Sequence, residues 1–370
     1  MSNIHVPIPP NDSFLYLLIT FVALSGEFPS ALVERLPWAP SYKAKAITRL
    51  KKENWLNSYY SDGLRGLRLT SAARRVLLQE QPARFALVLS GDNRISTPKY
   101  DIPSRLRLHR LAEALVMMYL SDAYVFPWEK PRFVLPDQPF MKMPIDQVTY
   151  YSSLEIKNIG KRANFFYNSR ATGILFSPDD LYAVYNTADA EIKWEFDSEL
   201  RLKVFMLQRI LHHTQEPNAI ILARDMQQLP ILISEKRPKT KSFIKGNSFQ
   251  QAFYVPMDQY GVLQLQLLCS KRKRDVLNDW FLNGMAPRRH YHFSNDGFDE
   301  NGLPVLLAYT CDIPRIHRFF TGLQMYDEEG VMFCFDFQEK ILKEICGDCV
   351  YIRYISSEEY KNSSLFIDEE

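Results

Sequence analysis

Between residues 12 and 80, a run of helix start and stop signals closed by an Asp-Gly turn constrains this chain more than any other feature. Asp12 and Ser13 can cap a helix whose apolar run begins at Phe14, and Gly26 stops it. Pro29 and Ser30 open a short second helix over 31–36, and Pro40 and Ser41 open a third that runs to about Trp55. Residues 56–60 and 65–70 read as strands around Ser61-Asp62-Gly63, and Thr70 or Ser71 caps a fourth helix over 72–79. Three helices with a hairpin behind them predict a winged helix-turn-helix. One helix of that arrangement can enter the major groove of DNA.

Charge on the third helix supports this expectation. From Ser41 to Lys52 there are five cations, Lys43, Lys45, Arg49, Lys51 and Lys52, and no acid. Ile47, Leu50 and Trp55 can face the core at helical spacing, leaving Lys43, Lys45, Arg49 and Lys52 on other faces. Arg65 and Arg68 follow the hairpin tip, where a wing tracks phosphates. The expected contacts to double-stranded DNA are therefore Ser41, Tyr42, Lys43, Lys45, Arg49, Lys52, Arg65 and Arg68. The competing reading is a solvated basic helix in a domain used for protein contacts.

The chain has 370 residues, too many for one simple core, which suggests two or three domains. Hydrophobic residues make up 46% and aromatics 13%, which marks a globular protein. Residues 1–130 carry 17 Lys and Arg against 11 Asp and Glu, whereas the remainder carries 28 against 32. The cationic part thus coincides with the predicted winged helix, which favours nucleic acid there. No apolar run is long enough for a membrane span, and no basic stretch precedes an apolar one at the start. Five cysteines, an odd number and mostly within apolar runs, suit a reducing cytoplasm, the expected location.

Past the hairpin, residues 91–98 look like a connector and Pro103-Ser104 start a long helix over 105–121. Its Leu108, Leu111, Leu115 and Met118 need a partner, either a second copy in a homodimer or the rest of the same chain. Five prolines between 127 and 144 make that stretch irregular and put a domain boundary near 130. The expected division is 1–95, 96–130 and 131–370, with a further break near 235–250. Strands are expected at 171–176, 181–186, 218–224, 230–234, 304–311, 331–335 and 350–355. Helices are expected at 199–212, 274–282, 313–323 and 337–345. This alternation predicts an α+β protein, its second part an α/β domain around one mixed central sheet.

Some strings carry a resemblance. His109-Arg110-Leu111-Ala112, Tyr150-Tyr151-Ser152-Ser153-Leu154-Glu155, residues 169–175 and residues 182–187, placed behind a winged helix, resemble the replication-relaxation family. Its members belong to plasmids and integrative conjugative elements of Gram-positive bacteria. The resemblance covers roughly residues 12–215. It implies a DNA-associated role in the replication, transfer or regulation of a mobile element, and a restriction-endonuclease-like domain behind the winged helix. Such a nuclease needs clustered acids for a divalent metal and a lysine. Under the resemblance, Glu155 matches a helical acid and Lys203 a helix lysine. The strand acids, however, are replaced by Tyr185-Asn186-Thr187, and the Pro-Asp element by Ser169-Arg170. The implied domain is therefore a degenerate nuclease.

Further chemistry is sparse. Pro178-Asp179 with Glu191-Ile192-Lys193, or Glu155-Ile156-Lys157, could place an acid and a lysine on one strand face. Ser-Pro-Asp-Asp is also ordinary turn chemistry. Cys346-Gly347-Asp348-Cys349 needs two further ligands to hold zinc, from Cys311, Cys334 or His317. Residues 288–292 mix cations with an aromatic, and His212-His213 suit a helix end. No phosphate-binding loop, dinucleotide fingerprint or nucleophile elbow is present. The expectation is a DNA-binding protein of a mobile element, with no metal or cofactor, no membrane association, and a second part serving assembly or unidentified protein partners. A metal-dependent endonuclease and a protein-interaction module are the alternatives.

Overall fold

The computed structural model describes residues 7–90, 99–131, 141–142, 147–157, 169–188, 194–211, 216–234, 243, 247–287 and 291–363. The chain divides into two units, Met1–Pro136 with Tyr150–Tyr167, and Asp137–Thr149 with Asn168–Glu370. The class is α+β with mixed sheets. No helix of the described residues is long and apolar enough to cross a membrane.

In the first unit, helix α1 (Phe14–Ser25) starts where the Ser13 hydroxyl accepts from the Tyr16 N–H and stops at Gly26, whose φ is 76°. It is buried on nearly every side, so it acts as the unit's central rod. Strand β1 (Phe28–Pro29), a 3-10 helix (Ser30–Arg35) and helix α2 (Pro40–Lys52) follow. Strands β2 (Leu56–Ser61) and β3 (Leu64–Leu69) then form an antiparallel hairpin, and the sheet order is β1-β3-β2. The two residues between them, Asp62 and Gly63, both have positive φ, 52° and 78°. That pair is the turn whose twist matches the strands it joins. Thr70 caps α3 (Ser71–Glu80), and α4 (Pro82–Leu89) continues after one residue.

Helix α5 (Ile102–Leu120) begins at an Asp101 cap. Its Leu111, Leu115 and Met118 are buried within this unit, where α5 packs against α1 and β1. Tyr119 meets Phe21 edge-on at 5.3 Å between ring centroids. Three of the four residues that argue for a homodimer thus have their partners inside the same chain, while Leu108 is half-buried.

Beneath the hairpin sits a fully buried carboxylate, Glu27. Arg68 Nη2 donates to its Oε2 at 2.7 Å, Arg105 Nη2 to its Oε1 at 2.7 Å, and His109 Nε2 to its Oε1 at 2.9 Å. Space for this knot depends on Gly66, where a Cβ would lie 2.2 Å from Glu27 Oε1. Burial alone would push the Glu27 carboxyl up, but the hydrogen bonds from His109, Arg105 and Arg68 outweigh it and hold it at about 2.

The second unit holds two mixed sheets rather than the single central sheet expected. In one, the strands Ala252–Pro256, Asn218–Ala223, Leu181–Ala188 and Gly173–Phe176 lie side by side in that order. The last pair is antiparallel, and the other two pairs are parallel. In the other sheet the order follows the chain: Ala286–Pro287, Gly297–Phe298, Pro304–Leu307, Gly330–Phe335 and Val350–Ile355, with the last three parallel. Helices Gln259–Leu268, Lys271–Leu282, Ile313–Tyr326 and Asp336–Cys346 connect and cover these strands. Gln264, fully buried, donates from Nε2 to Tyr254 O at 2.6 Å and to Thr310 O at 2.7 Å, so one amide ties a strand of the first sheet to the turn that follows Pro304–Leu307 of the second. Of residues 230–234, expected as a strand, 230–233 belong to the helix Leu229–Ile233 and Ser234 is its C-cap. An apolar run that short shows no period that separates helix from strand.

Glu27→Gln is expected to destabilise the protein by about 3–5 kcal/mol in urea unfolding at neutral pH, because it leaves two buried guanidiniums without their counter-charge. The Glu27 carboxyl falls from an ordinary 4.5 to about 2 on folding, so its stabilisation is complete above pH 4.5 and drains away towards pH 2. That acid-limb slope should be missing from the variant; a variant as stable as the wild type at both pH values would show that the knot contributes nothing.

Candidate nucleic-acid interface

Helix α2 has two stripes with opposite chemistry. The inner one is Lys43, Ala46 and Leu50, all buried. The outer one is Ser41, Lys45, Arg49 and Lys52, spaced four, four and three apart and all exposed. Tyr42 is 42% exposed and touches Phe14 with ring centroids 5.9 Å apart. Lys51, outside the expected set, is exposed as well. Among the outer cations, Arg49 is neutralised by Glu53 at 2.7 Å.

Lys43 does not stand on that outer face. Its ammonium donates to Glu34 O at 2.7 Å and Leu36 O at 3.3 Å, and pairs with the Glu34 carboxylate at 3.3 Å. The lysine ties α2 to the end of the preceding 3-10 helix. Arg68, expected on the outer face, is turned inward as well: it is buried in the Glu27 knot and lies 3.9 Å over the Tyr59 ring. On the hairpin it is Arg65 that points outward, near Tyr60, itself 65% exposed. The structure thus brings together Ser41, Lys45, Arg49 and Lys52 on one helix face and leaves Arg65 as the exposed cation of the hairpin.

The nuclease candidates have other occupations. Glu155 accepts from the Ser152 N–H at 2.9 Å, at the start of its own short helix α6 (Ser153–Lys157), and pairs with the buried Lys130 at 3.0 Å. Lys203 pairs with Glu216 at 2.8 Å. Glu191, Lys193, His212, His213 and residues 288–290 lie outside the described residues. Cys346 and Cys349 carry free thiols, and Cys349 Sγ donates to the Cys346 carbonyl. Among the described residues, no group of three or more His, Cys, Asp or Glu is placed to hold a metal ion.

In the second unit a polar cavity of about 290 Å³ is lined by Asp180, Arg274, Asn278, Asp296, Asp312 and Arg315, among others. Its charges meet in pairs, Arg274 with Asp180 at 2.5 Å and Arg315 with Asp296 at 2.6 Å. Burial pushes the Asp312 carboxyl up to about 6 against the pull of Arg315. A second raised acid, Glu199, is buried beside the strand Leu181–Ala188, where it accepts from the Tyr185 hydroxyl. Burial pushes it up to about 7, against the Tyr185 hydrogen bond and the charge of Arg170. No protein-family model matches the chain, and none of the curated proteins or solved structures does so.

Because Glu199 is raised on folding, its protonated form favours the native state. That contribution is complete below pH 4.5 and lost as pH rises through 7. Relative to Glu199→Gln, the wild type should therefore lose up to roughly 3 kcal/mol between pH 4.5 and 8. Parallel thermal melts of the two proteins over that range measure it, and a constant difference between them would place the charged carboxylate in a solvated setting.

Proposed function

We propose that this protein binds double-stranded DNA through its first unit, which we read as a winged helix-turn-helix. The observation that carries the reading is the outer stripe of α2, where Lys45 and Lys52 stand exposed beside Arg49 while the inner stripe anchors the helix. The element order supports it: α1, β1, a short helix, α2, and a hairpin whose sheet runs β1-β3-β2. In such a unit the helix after the turn enters the major groove and the hairpin meets the flanking backbone, here with Arg65. Exposed cations of this kind displace counterions from phosphates, which supplies affinity and makes it fall with salt. Ser41 and Tyr42, at the exposed start of α2, stand where a recognition helix presents side chains to base edges. A role in a plasmid or integrative element rests on the sequence resemblance alone, and assembly or partner contact is our reading of the second unit.

Fluorescence anisotropy on duplex DNA tests the reading. Replacing Lys45, Arg49 and Lys52 together with Ala should weaken binding and reduce the log–log salt slope by roughly 0.9 for each phosphate no longer neutralised. Lys43→Met is the contrast, expected to lower the melting temperature and leave the slope alone. A folded triple variant with wild-type affinity and slope would remove α2 from the interface, and a competing protein-contact surface would then be the better reading.

A further inference from the structure

We propose that Arg105 and Glu27 are positioning residues for the DNA face, clamping the hairpin beside its turn so that Arg65 stands at a set place relative to the cations of α2. The inference rests on the reading of that face as a DNA interface. Ser61 and Leu64 are the last facing pair before the two-residue turn. Arg105 Nη1 donates to Ser61 O at 2.9 Å, and its Nη2 donates to Leu64 O at 3.0 Å. One guanidinium therefore grips both strands at the turn, and Arg65 is the next residue along.

The same guanidinium is oriented by Glu27, which it meets through Nε at 3.1 Å and Nη2 at 2.7 Å. Arg68, on β3 itself, holds the other carboxylate oxygen from Nε at 3.0 Å and Nη2 at 2.7 Å. Arg105 and Arg68 both lie over the Tyr59 ring, at 4.6 and 3.9 Å from its centroid. Beyond Gly66, where β1 stops pairing, the hairpin is a two-stranded ribbon with little rigidity of its own, so the direction of its tip is set by what grips the pair beside the turn. Stability does not require this solution, because apolar side chains of similar volume replace a buried ionic cluster at little or no cost. What the charged cluster provides is a fork of directed hydrogen bonds at two named carbonyls, which an ammonium cannot reproduce.

The test is a double-mutant cycle read on DNA. Salt-dependent duplex binding is measured by anisotropy for the wild type, Arg65→Ala, Arg105→Lys and the double variant. Arg105→Lys keeps the buried charge and loses the fork. It should flatten the salt slope by about 0.9, as Arg65→Ala does, so that the drop in affinity between 50 and 200 mM salt shrinks about threefold. The double variant should be no flatter than either single one, because Arg65 without its clamp already misses its phosphate. Amide exchange at Leu64 and Arg65 should quicken in Arg105→Lys, and Glu27→Asp, which withdraws the carboxylate by one methylene, serves if that protein does not fold. A slope unchanged in Arg105→Lys, or effects that add in the double variant, would reduce the cluster to a fold-stabilising one. Absence of salt-dependent binding in the wild type would overturn the interface itself, and this inference with it.

Discussion

The carboxylate of Glu27 is the point on which the first unit turns. It emerges immediately after the glycine that ends α1, at a depth where an unpaired charge could not persist. Its partners come from β3 and α5, so a single side chain joins the end of the central helix, the hairpin and the long helix. Removing it would leave two guanidiniums in the interior, which costs far more than the loss of a surface pair. The chain accommodates the cluster by leaving out a side chain at Gly66 rather than by opening a cavity.

The second unit solves the same problem of buried polarity in a different way. Several of its polar groups meet as neutral pairs or through a single amide: Arg274 with Asp180, Arg315 with Asp296, and Gln264 between two carbonyls. Glu199 and Asp312 behave differently, as acids whose burial favours the protonated form. A polar cavity in which each of these guanidiniums already faces a carboxylate has no uncompensated charge from those pairs to direct a ligand.

Much of the first unit is legible in the sequence because its boundaries are written in local chemistry. Ser13, Gly26, Asp62-Gly63 and Thr70 each act within a few residues of their own position. The Glu27 knot cannot be read in that way, since its partners lie 41, 78 and 82 residues away. Two signals of it are nonetheless present: a lone acid between apolar runs, and Arg105 and His109 one helical turn apart on an apolar helix. Lys43 departs from expectation for a simpler reason. Its charge points to an outer face, but its position three before Ala46 and seven before Leu50 puts it on the buried stripe, and phase decides. In the second unit the strands are largely visible, but their separation into two sheets depends on pairing order, which hydrophobic pattern does not encode.

The inward lysine of α2 has a bearing on how such a surface can change over time. With Lys43 fastening the helix from beneath, the fold is held by the inner stripe, and Ser41, Lys45 and Lys52 stand in solvent. Substitutions on the outer stripe are therefore nearly silent for stability while altering what the surface attracts. Substitutions on the inner stripe are purged by misfolding before any change in binding can matter. Descendants of this chain can exchange one charged target for another through a handful of outer side chains, with the scaffold passed on intact.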